Sequence, residues 1–171
     1  MELIDRTLNV QVVDTPETYW PMTEQLVPPV VELLKALSDL EEETFRRSQG
    51  LDAQKQAQGI PSHQTAPGWK ELMAEYSARI YELASPWCTE KLLARGYGRS
   101  YGSPTCYGYL NGDFQIFFTM KSAKRAVIET RYYQSIEKAH QFVLRPAEGG
   151  WKIDEVSYRL SNEKTWHSFH I

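Results

Sequence analysis

The chain is poor in cysteine and in long apolar runs. Cys88 and Cys106 are the two cysteines in 171 residues, and no C-x-x-C spacing links them. A metal knuckle or a dithiol redox pair is therefore not expected, and a reducing compartment is the simple reading. No stretch approaches the ~18 apolar residues that a membrane-spanning helix needs. The opening MELIDRTLNVQVVD has acidic residues where a signal peptide would have an apolar core. These features predict a cytoplasmic protein without membrane contact. Neither charge dominates, with 19 Lys+Arg against 22 Asp+Glu and a net charge of −3. The basic residues are scattered, which argues against a nucleic-acid partner. The sequence also has no nucleophile elbow, phosphate-cradling glycine loop or H-E-x-x-H. Gly96, Gly98 and Gly102 are interleaved with tyrosines rather than placed between a strand and a helix, so they read as a flexible entrance to the sheet.

The most informative stretch is Ile136 to Leu160. His140, Phe142 and Leu144 alternate with Gln141, Val143 and Arg145, and Ala147-Glu148-Gly149-Gly150 then turns the chain into Trp151-Lys152-Ile153. The apolar phase changes after Ile153 to Val156, Tyr158 and Leu160. One extra residue at Asp154-Glu155, a β-bulge, explains the change. A bulge bends its strand, so a strongly curved sheet with a concave face is expected.

Length fits one domain that buries roughly 70% of its unfolded surface. Residues 1–28 read as an N-terminal segment in which Leu8, Val10 and Val12 alternate as a short strand. Residues 29–96 read as helical, with a polar loop over 46–66 in which Leu51 to Gln58 either makes one weak helical turn or two or is mobile until a partner orders it. Residues 104–171 read as the sheet. The first helix is expected to start at Pro29 and to carry Val30, Leu33, Leu34 and Leu37. Trp69, Leu72, Met73, Tyr76, Ile80 and Leu83 mark a second. A short third begins at Ser85-Pro86 and ends by Gly96. Thr105 to Leu110 and Asp113 to Met120 flank Asn111-Gly112 and predict a hairpin. Arg125 to Tyr132 follows as a strand, and Thr165 to Ile171 closes the sheet with His167, Phe169 and Ile171 on one side. Helices followed by an antiparallel meander define the α+β class.

This element order, with Gly149-Gly150-Trp151-Lys152-Ile153-Asp154 in a late strand, resembles the nuclear-transport-factor-2-like cone fold. Tyr132-Tyr133, the strand Lys138 to Leu144, WKIDEVSYRL and Trp166 look like the bacterial immunity proteins of that fold, which bind and neutralise toxins of polymorphic systems, including Rhs-type toxins. The resemblance implies a non-enzymatic inhibitor with no cofactor, three N-terminal helices packed on the curved sheet, and a toxin domain as partner. It also leaves room for a homodimer through the sheet, as relatives of this fold often form.

Partner-binding candidates come from charge and aromatics. Glu41, Glu42 and Glu43, with Arg46 beside them, would steer a basic partner. Tyr97, Tyr101, Tyr107 and Tyr109 fall within thirteen residues and are either core or rigid interface anchors. The competing reading is an isomerase, dehydratase or cyclase of the same fold, with His140 or Asp154 moving a proton inside the cone. Against it, a single histidine on an apolar strand face is more often a hydrogen-bonded core residue, and Asp154 can simply satisfy the bulge backbone. His167 and His170 are three apart in a strand and face opposite sides, so no metal is expected.

Overall fold

A computed structural model of the protein describes residues 8–171. The chain forms one long helix, α1 (Met22–Ala57), then α2 (Trp69–Ala84) and a single-turn α3 (Glu90–Leu93). Six strands form one sheet in sequence order: β1 (Val10–Val12), β2 (Phe114–Ser122), β3 (Arg125–Gln134), β4 (Ile136–Ala147), β5 (Gly150–Leu160) and β6 (His167–Phe169). β1 runs parallel to β2, and every other pair is antiparallel. The class is α+β. The sheet is open, with β1 and β6 on opposite edges, and is not the strongly curled one that the bulge led us to expect.

The two helices bury one face each against one face of the sheet. Leu26, Val30, Leu33, Leu34 and Leu37 of α1, with Tyr76 and Ile80 of α2, meet Ile116, Phe118, Ile128, Phe142 and Leu144. Fully burying a side chain of this size contributes about 1.5–3 kcal/mol, and Phe118, Phe142, Leu34 and Ile128 are fully enclosed. The helices also clasp each other through exposed ion pairs, Arg47 to Glu75 at 2.7 Å and Arg79 to Glu43 at 3.1 Å.

α1 departs from expectation at both ends. It starts at Met22 and runs through Pro28 and Pro29, although each proline removes a backbone donor from the ladder. Buried Leu26, Val27, Val30 and Val31 on both sides of the prolines hold the segment helical against that cost. At the other end the expected loop from residue 46 is helix as far as Ala57, because the Leu-Asp-Ala-Gln-Lys-Gln-Ala run consists mostly of good helix formers. The helix stops at Gly59, whose φ is +71°. Ile60 N–H donates to the Lys55 carbonyl and Gly59 N–H to that of Gln56, the paired pattern of a Schellman cap.

The expected strand over Thr105–Leu110 and its Asn-Gly hairpin are absent. Residues Gly108–Asn111 form a 3-10 turn, and Gly112 has a φ of −125°, outside the left-handed region an Asn-Gly hairpin uses. The physical reason is competition for β2. Its free edge is taken by β1, with Val10 opposite Ile116 and Val12 opposite Phe118, while Tyr107 and Leu110 turn into the core. The N-terminal strand is thus seen over Val10–Val12. The residues before Leu8 lie outside the described part.

The third helix also starts later than read. Ser85 ends α2, and the Thr89 side chain accepts from Leu92 N–H to cap α3. The three residues between are drawn to the sheet by the bulge. In the β4–β5 ladder Val143 faces Glu155 and Leu144 faces Ile153, so Asp154 is the extra residue. Ile153 donates to the Trp87 carbonyl at 2.7 Å and accepts from Thr89 N–H at 2.9 Å. The N-terminal half of β5 is hemmed by this short bridge and its C-terminal half by β6. On the far edge, the Val13 N–H donates to the Phe118 carbonyl and the Thr15 hydroxyl accepts from Met120 N–H.

Candidate functional site

At one end of the wedge between helices and sheet, the segment 97–107 crosses from α1 to the sheet and frames a cavity of about 240 Å³. α1 fixes that segment. The Glu41 carboxylate accepts from Gly102 N–H at 2.9 Å and Cys106 N–H at 3.1 Å. One turn earlier, Ser38 shares a hydrogen bond with Thr105. Ser48 shares one with the Tyr101 hydroxyl, which also accepts from Trp69 Nε1 at 3.0 Å. Gly98 lies against α2, where an added Cβ would sit 2.6 Å from Ser77 Cα. Burial raises the Glu41 carboxyl above its usual range, outweighing the two backbone donors that lower it. The Cys106 thiol is pushed up to about 12 by burial and by Glu41, which keeps it protonated and unreactive at neutral pH.

Beneath this mouth lies His140, 4% exposed. Five rings surround it: Tyr107, Tyr109, Tyr132, Phe142 and Phe169, with centroids 5.3 to 6.1 Å away. Tyr109 stacks on Tyr132 at 3.7 Å. Its hydroxyl lies 2.7 Å from Thr130 Oγ1 and 3.1 Å from His140 Nδ1, while Cys106 Sγ lies 3.9 Å from Nε2. Burial, with Lys138 nearby, lowers the imidazole to about 4. It is a neutral core histidine engaged on both ring nitrogens.

Asp154 is also engaged. It accepts from the Thr89 hydroxyl at 2.9 Å, from Lys91 Nζ at 3.3 Å and from Arg145 Nε at 3.1 Å. Burial pushes its carboxyl up, but the hydrogen bonds from Thr89, Lys91 and Arg145 and the Lys91 charge outweigh that and hold it below the usual range. Its role is to bind bulge, bridge and α3 together.

The proposed partner-binding residues divide by exposure. Glu42 and Arg46 are exposed on α1. Glu41 and Glu43 are half-buried, the first tied to the 97–107 segment and the second to Arg79. Tyr107 is buried, so it is core. Tyr109 and Tyr101 are half-buried and face inward partners. Tyr97 pairs with the exposed Tyr81 at 5.5 Å. Arg99 was not singled out by sequence, and His170 was read only against a metal; both line the mouth. Burial and the neighbouring Arg99 lower the His170 imidazole. The signal that pointed there was available: Ser38 and Glu41 interrupt the apolar stripe of α1 one turn apart. His140, His167 and His170 form no three-ligand metal cluster among the described residues. His167 instead pairs with Glu163 at 3.2 Å.

No protein family, curated protein or solved structure matches this chain. Among the described residues, no helix is long and apolar enough to cross a membrane.

Proposed function

We propose that this protein is an immunity-type inhibitor that binds a cognate bacterial toxin domain by direct contact, in the cytoplasm and without a cofactor. The cone-like family assignment belongs to the same proposal. It rests on the order of helices and strands and on the Trp151-Lys152-Ile153-Asp154 strand with its bulge. The observation that carries the reading is the aromatic plug: the floor where an enzyme of this architecture would hold substrate is filled by five rings packed on His140. A filled floor supports a rigid body that works through its surface. The acid–base alternative would need His140 or Asp154 to reach substrate, and both are engaged internally. Glu42, Arg46 and the Tyr81–Tyr97 pair are the exposed or part-exposed groups near the mouth from which contact would be made.

The test is co-expression with the toxin domain encoded immediately upstream. Growth rescue together with a complex that survives size-exclusion chromatography is expected. Absence of both, with every neighbouring toxin domain, would refute the reading.

A further inference from the structure

Two opposite charges line the mouth cavity without pairing with each other. Glu41 spends one lone pair on each of its two backbone donors, and a carboxylate has about four acceptor sites. Acceptor capacity therefore remains. Arg99 also lines the cavity and forms no ion pair among the described residues. Between them are apolar walls, Leu37, Ile80 and Phe169. The ring of Tyr107 adds to the same wall, while its hydroxyl is closed off in the core.

We propose that this cavity is a binding site for a small amphoteric molecule, with an ammonium held by Glu41, a carboxylate held by Arg99, and an apolar body on Leu37, Ile80 and Phe169. Charge decides the class. A simple anion would face Glu41 and a simple cation would face Arg99, whereas a zwitterion satisfies both with charge-assisted hydrogen bonds. Size agrees. At 240 Å³ the cavity falls below the roughly 300–1,000 Å³ of pockets that take drug-sized ligands, which suits a molecule of amino-acid size. Small-molecule binding is measured without any toxin present, so its failure leaves the inhibitor reading standing, and the reverse also holds.

The experiment is isothermal titration of the full chain with L-phenylalanine, phenethylamine and 3-phenylpropanoate, which share one apolar body and carry both charges, the cation alone and the anion alone. L-phenylalanine is expected to bind one to one and at least tenfold tighter than either of the others, a difference of about 1.4 kcal/mol. Arg99→Met should erase its advantage over phenethylamine. Glu41→Gln should erase its advantage over 3-phenylpropanoate. Arg99 is exposed, so its variant tests the site even if Glu41→Gln loosens the 97–107 segment. No saturable binding of L-phenylalanine up to about 10 mM, equal binding of all three probes, or an Arg99→Met variant that binds like the parent would each overturn the proposal.

Discussion

Acid should weaken this fold through His140. The imidazole is 4% exposed, and burial together with Lys138 lowers it to about 4, while in the unfolded chain it returns to its ordinary value near 6.5. Between those two values the unfolded state holds a proton that the folded state refuses. Stability therefore falls as pH drops through this window, by about 1.4 kcal/mol per pH unit. From 6.5 down to about 4 the loss is about 3 kcal/mol, against the 5–15 kcal/mol that a typical domain has in total. The comparison that isolates it is His140→Phe, which keeps a ring in the aromatic plug and leaves Tyr109 its bond to Thr130. Urea midpoints of both proteins would be measured at pH 7, 5.5 and 4.5. The parent should lose stability steeply and the variant much less, so that the two curves converge toward low pH. Parallel curves would refute the reasoning, since every other titrating group is common to both.

Three further outcomes follow from the packing. Asp154→Ala removes the acceptor shared by Thr89, Lys91 and Arg145 and should cost about 1–3 kcal/mol, read as a lower urea midpoint at unchanged slope. Because this carboxyl is held below its usual range, its contribution is present above the unfolded value near 4 and lost as pH falls through the lower folded one. Gly98→Ala should lower the melting temperature, because Gly98 has a φ of +57° and its new Cβ would meet the Ser77 Cα backbone at 2.6 Å. Gly149→Ala, in open space at the β4–β5 turn, should cost only the strain of its positive φ and serves as the comparison. Phe142→Ala, at a fully enclosed site, should cost about 3–5 kcal/mol in chemical denaturation.

Where one period dominated, the sequence was readable. The alternation in Phe114–Met120, Arg125–Tyr132 and His140–Leu144 located three strands, and the phase change after Ile153 located the bulge at Asp154. Competition between segments was not readable. Asn111-Gly112 has the residues of a hairpin, yet no partner edge was left once β1 had paired with β2. Pro28 and Pro29 suggested a start, yet burial on both sides held the helix through them. The site was legible only in fragments. Its acceptor Glu41 stood out within an acidic run, but that run is split by helical geometry into one inward and one outward neighbour. Arg99 had no distinguishing pattern at all, because its meaning depends on β6 arriving from seventy residues further along the chain.

Both rims of the sheet are finished with short pieces, the Trp87–Thr89 bridge and β6 on one side and β1 with Thr15 on the other. Among the described residues, neither rim offers another chain a long row of unsatisfied amides to copy, which is the usual route to ribbon-like self-assembly. Recognition by strand addition is closed off for the same reason. Whatever docks here must read side chains on a face or at the helix tip, so its specificity can be altered by surface substitution while the backbone of the sheet stays unchanged.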